Sequence, residues 1–235
     1  MSIDILYNLT FEDGQTADFQ LKFDDDTMAL IAEKNNNPPA WARLENHQCP
    51  HCPLSPDSHP YCPPALHMGA AINRLGAMVS YADVQLRVVT AERTIAGKTQ
   101  AHTVLSSIMG LMMATSGCPY TAYLRPMARF HLPLASFEET IFRSVSSYLI
   151  AQYLLERQGR PFDTSLAGLV RIYKDIQTVN VAFTARLKSS GEIVETNAIS
   201  LLDMYAQTMP LAIDESLEEF HELFHSYLDR ADADG

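Results

Sequence analysis

The sequence predicts an α+β fold: a small N-terminal antiparallel sheet, a proline-rich loop carrying cysteines, then a mainly α-helical bundle. Three observations predict it. Residues 3–11 and 16–23 alternate apolar and polar across Glu12-Asp13-Gly14-Gln15, the pattern of a β-hairpin. Residues 38–64 hold eight prolines and show little periodicity. From residue 100 onward, apolar side chains recur mainly at helical spacing.

The elements follow in order. In the second hairpin strand, Ala17, Phe19, Leu21 and Phe23 fall on one face. Asp24-Asp25-Asp26 ends it, and a short apolar stretch, 28–31, follows before the break at Asn35-Asn36-Asn37-Pro38-Pro39. Residues 63–80 predict an amphipathic helix through Met68, Ile72, Leu75 and Val79, with Pro63 at its first position. Residues 83–90 read as a strand that makes the hairpin a three-stranded sheet. Residues 100–115 read as an apolar helix stopped by Gly117. Ser136 and Glu139 have capping-box spacing ahead of a stripe formed by Phe137, Ile141, Val145, Tyr148 and Leu149, which stops near Gly159. Asp163 or Thr164 caps a further helix, with Leu166, Leu169, Val170, Tyr173, Ile176, Asn180, Phe183 and Leu187 along it. Gly191 breaks the chain, and a helix over 193–209 is expected to stop at Pro210. The last helix spans 214–229, with Leu217, Phe220, Phe224 and Tyr227 facing inward and 231–235 as a frayed tail. The regions are 1–34, the β-hairpin; 35–64, the proline-rich metal-binding loop; and 65–230, the helical core with one added strand; together they make one domain.

Composition narrows the function. The chain has 235 residues, 47% hydrophobic and 19% charged, enough to bury a core without cross-links. A net charge of −11 argues against nucleic acid or an anionic membrane as the main partner. It favours a metal ion, and leaves a protein partner or a homodimer open. The N-terminus lacks a basic stretch followed by an apolar one, and the longest apolar run, 104–114, is too short to span a bilayer. A cytoplasmic, reducing location is therefore expected, where cysteines serve as thiols or metal ligands rather than disulfides.

All four cysteines precede proline: Cys49, Cys52, Cys62 and Cys118. With proline at about 5% of ordinary sequence, four of four by chance is on the order of one in 10⁵. Proline confines the preceding residue to extended conformations, so each thiol is stiffly presented. Cys49 and Cys52 form a Cys-x-x-Cys pair able to grip one ion from a single turn. Cys62 falls at a helix start, where backbone N–H groups would lower its pKa. Cys118 could close a Cys₄ site by clamping the loop to the helical core. His47, His51, His59 and His67 are nearby substitutes for one thiolate. Structural zinc is the leading ion; an iron–sulfur cluster on the same four sulfurs is the alternative. With little core of its own, the loop is expected to rely on the metal for order.

Two other constellations stand apart. Arg125, Arg129 and His131 lie among apolar residues in 124–133 and are candidate ligand-binding groups, with buried ion pairing as the competing role. His221-Glu222-Leu223-Phe224-His225 matches the H-E-x-x-H of zinc hydrolases. No third ligand is legible nearby, so a zinc metallohydrolase is the second alternative. The sequence assigns no catalytic residue, and whether the chain is an enzyme stays open. The leading reading is a cytosolic metal-binding protein of binding or regulatory type.

The strings Cys-Pro-His-Cys-Pro-Leu at 49–54, Thr-Ser-Gly-Cys-Pro at 115–119 and Leu-Arg-Pro-Met-Ala-Arg-Phe-His-Leu-Pro at 124–133 together resemble an uncharacterised bacterial protein family. The resemblance covers most of the chain. It implies that the two cysteine segments belong to one recurring unit, and it carries no activity.

Overall fold

Gly14, at φ +84°, turns the chain between strands β1 (Ser2–Phe11) and β2 (Thr16–Asp24), which pair antiparallel from Ser2↔Asp24 to Thr10↔Thr16. The computed structural model describes residues 1–31, 38–68, 82–189 and 196–234. Strand β3 (Asp83–Val89) pairs with the other side of β1, and β4 (Thr94–Gln100) adds to β3, giving the antiparallel order β2-β1-β3-β4. Ile5, Tyr7, Leu9, Phe19, Leu21, Phe23, Val84, Leu86 and Val88 are all buried. Their alternation buries one face of the sheet and leaves the other wet, as antiparallel sheets allow.

The sequence predicts three strands, and the described residues form four. Residues 94–100 form β4, yet none of them is fully buried, so they lack the apolar alternation that marks a strand. Pairing with β3 makes the strand, and Thr90 Oγ1 closes the turn by accepting from the Glu92 and Arg93 N–H groups at 3.3 and 3.2 Å. Gly97 lets Leu134 approach: a Cβ there would lie 2.9 Å from Leu134 Cδ1, so any larger residue needs that side chain to shift.

The helical part begins with α1, described over 63–68; the rest of the expected helix lies outside the described residues, as does Gly191. Helix α2 (Ala101–Thr115) lies against the buried sheet face through Val104, Ile108 and Met109. A short helix, α3 (Arg125–Arg129), leads to α4 (Phe137–Arg157), whose capping box forms as the sequence predicts. Ile141 and Val145 are buried on α4, but Phe137 and Leu149 are exposed, so its stripe is narrower than expected. Helix α5 (Ala167–Lys188) is anchored at its start by Asp163, whose carboxylate accepts from the Gly168 and Ser165 N–H groups at 2.7 and 2.8 Å.

Helix α6 (Thr196–Glu219) runs through Pro210 instead of stopping there. Ile199, Ala206, Met209 and Ile213 form one buried stripe across the proline. Burying such side chains is worth about 1.5–3 kcal/mol each, which outweighs the roughly 3 kcal/mol cost of proline in a helix. Helix α7 therefore begins late (His221–Asp234) and includes most of the expected tail. Phe220 is buried, but Phe224 and Tyr227 are exposed, correcting the inward-facing assignment.

Two hydrophobic clusters result. One joins the sheet, α2 and the Val179, Phe183, Leu187 half of α5; the other joins α4, the Leu169, Tyr173, Ile176 half of α5, and most of α6. Leu124 packs against both. No described helix is long and apolar enough to cross a membrane.

Candidate metal centre

The cysteine loop is ordered by more than its prolines. A turn of 3-10 helix (Ala40–Ala42) drives Trp41 edge-on against Phe183, ring centroids 6.5 Å apart, and Trp41, Ala42 and Leu44 are buried. The chain then doubles back. Arg43 bridges Tyr61, the Leu44 N–H donates to Pro60 O at 3.0 Å, and the Cys62 N–H donates to Ala42 O at 2.9 Å. This return delivers Cys62 to the start of α1, where the Leu66 N–H donates to Cys62 O. The loop is thus docked on the main core through Trp41 and Ala42, an anchor the sequence expectation lacked. Trp41 and Leu44 were not recognisable as core, because irregular backbone gives apolar residues no period.

Within this frame the Cys52 N–H donates to Cys49 O at 2.9 Å, placing the Cys-x-x-Cys pair on one tight turn. Cys118 arrives from the other direction. Gly117, at φ +96°, reverses the chain at the end of α2, and the Ala122 N–H donates to Cys118 O. The two segments meet through aromatics: the His51 ring lies on Tyr120 at a centroid distance of 3.9 Å, and the Tyr120 hydroxyl donates to His51 O at 2.7 Å. His51 Nε2 stands 3.2 Å from Asp175 O on α5, so that nitrogen carries the proton and donates. His51 Nδ1 is buried with no partner among the described residues.

All four cysteines are free thiols at intermediate burial. Cys49 interacts electrostatically with Cys62, Cys118 and Cys52. Burial first, and those neighbours second, push its thiol up to about 12. Burial also raises Cys62, outweighing the Ala65 N–H that stabilises its thiolate. The helix start acts on Cys62 as predicted, but desolvation reverses the net direction. As the side chains stand, no three His, Cys, Asp or Glu groups among the described residues are arranged to hold a metal ion.

Arg186, near the end of α5, completes the surroundings. It is 2% exposed, and its guanidinium donates to the carbonyls of Trp41 at 2.9 Å, Leu44 at 3.2 Å and Arg43. It interacts electrostatically with Cys62, Cys49 and Cys52, and no carboxylate pairs with it among the described residues. Sequence reasoning missed it: a lone arginine in the last turn of a helix ordinarily serves the helix dipole.

The other candidates lie elsewhere. His47 and His59 are exposed, and His67 is half-buried with its pKa lowered by burial. Arg129 pairs with Asp25 at 3.8 Å and covers the Phe130 ring. Arg125 Nε is buried without a partner. His131 Nε2 bonds to the Tyr7 hydroxyl and lies 3.4 Å from Ser107 Oγ. Arg125, Arg129 and His131 thus share no partner. His221, Glu222 and His225 are exposed on α7, with His225 Nδ1 3.0 Å from Asp229.

A family model, the domain of unknown function DUF6901, matches residues 5–225. The chain belongs to this family. The match takes in all four cysteines and residues 124–133. No curated protein and no solved structure matches the chain.

Proposed function

We propose that this DUF6901 chain is a cytoplasmic metal-binding protein of binding or regulatory type, in which Cys49, Cys52, Cys62 and Cys118 hold one zinc ion. The supporting observation is the buried Arg186 guanidinium, which interacts electrostatically with Cys62, Cys49 and Cys52 and has carbonyls as its hydrogen-bond partners. A buried cation costs several kcal/mol unless an opposite charge compensates it. Four protonated thiols supply no such charge. A zinc tetrathiolate carries net negative charge and supplies it. The metal takes the place of the thiol protons, whose retention burial otherwise favours.

Elemental analysis and an absorption spectrum of anaerobically purified protein test this. About one zinc per chain and no visible colour is the expected result. Iron with acid-labile sulfide and a brown colour would assign a cluster to the same four sulfurs. Neither metal, in protein that also fails to take up added zinc, would overturn the proposal.

A further inference from the structure

A second feature is independent of the cysteines. A cavity of about 230 Å³ opens between α2, residues 124–135, and helices α4, α5 and α6. Its wall is mainly aliphatic, including Leu111, Leu202 and Met209. An aliphatic cavity of about 150 Å³ already admits benzene, so this one has room for about ten non-hydrogen atoms.

Its polar groups divide into two kinds. Ser107 and His131 are satisfied by each other and by the Tyr7 hydroxyl. Asn180 is not: it is 1% exposed, lines the cavity, and its Nδ2 has no partner among the described residues. An amide N–H left unpaired in the interior costs about 1–3 kcal/mol, so the position favours an incoming acceptor. Arg143 is the one charged residue among those described in the wall. Its Nη2 donates to Met127 O at 2.7 Å and Phe130 O at 3.0 Å, and no carboxylate lines the cavity with it. A chain of net charge −11 thus encloses a cavity with one positive charge and one idle donor.

We propose that this cavity binds a small, mostly apolar organic acid, its carboxylate accepting from Arg143 and from Asn180 Nδ2. The aliphatic wall takes the hydrocarbon part. A carboxylate accepts several hydrogen bonds at once and brings a negative charge that the cavity lining lacks, since Glu139, which interacts with Arg143, is not part of that lining.

Calorimetric titration of the full chain with hexanoate and benzoate, against 1-hexanol and benzyl alcohol, tests the proposal. At least one acid saturates and binds tenfold or more tighter than its alcohol. Asn180→Leu keeps the number and branching of the side-chain heavy atoms and removes the unpaired amide. It loses at least fivefold in affinity for that acid, while its melting temperature without ligand holds or rises. Arg143→Met brings acid and alcohol to within about twofold. Because Arg143 also supports two carbonyls, a misfolded Arg143→Met leaves the decision to Asn180→Leu. Three outcomes would overturn the proposal: no saturation by either acid, equal binding of acid and alcohol, or an Asn180→Leu variant that binds the acid like the wild type.

Discussion

The sequence offers two metal-binding signatures, and the structure treats them differently. Cys49, Cys52, Cys62 and Cys118 come from two distant segments; the first three interact with the buried Arg186, and His51 and Tyr120 join the segments. His221, Glu222 and His225 sit within one helix turn on an exposed surface, where His225 finds Asp229. The second string is the closer match to a known pattern, yet the first has the better physical setting. A motif on one helix brings its own spacing but not the desolvated surroundings that make ligation strong. Groups converging from separate segments acquire those surroundings from the fold.

The largest expected effect lies on the cysteine side. Cys52→Ser should lose the metal and about 4 kcal/mol of stability, the contribution of a ligand present at about a thousand times its Kd. Metal content and melting temperature, measured together, check this; a variant unchanged in both would remove the contrast between the two regions. Next comes Arg186→Met, which strips donors from three carbonyls at once. Breaking so buried a charged network should cost about 3 kcal/mol or more in urea unfolding and weaken metal retention. Arg186→Lys should rescue little, since an ammonium lacks the guanidinium's forked donors.

A third histidine sharpens the comparison through pH. Burial, followed by the Arg143 charge, pushes His131 down to about 4. The unfolded chain, with an ordinary histidine near 6.5, therefore binds the proton first. The stability from keeping His131 neutral is fully present above about pH 6.5 and is lost as pH falls towards about 4. Melting curves from pH 7 to 5 should drop by several degrees in the wild type and less in His131→Gln. The smallest effect belongs to α7. Replacing His221 and His225 together by alanine should change stability by no more than about 0.5 kcal/mol and leave metal content intact, as for solvated side chains. Metal loss in that variant would reverse the ranking of the two regions.

What the sequence shows depends on whether a signal is local. The hairpin, the Ser136–Glu139 capping box and the stripe of α5 were legible because each is written within a few turns of chain. Strand β4 was not, because its partner β3 specifies it and its own small residues do not. Helix α6 passing Pro210 was not, because the rule against proline is local and the stripe that overrides it is tertiary. At the candidate centre, the four cysteines were visible through their shared proline. Arg186 and the Trp41 anchor were hidden, since both act across more than 140 residues of sequence.

Helices α5 and α6 each contribute to both hydrophobic clusters, α6 through Ile199 to one and through Ala206, Met209 and Ile213 to the other, and Leu124 touches both. The clusters therefore cannot melt independently without tearing a continuous helix in two. Heat or denaturant should meet a single all-or-none transition, and damage at the sheet end will be felt at the α4 end as a lower midpoint rather than as a separate early step.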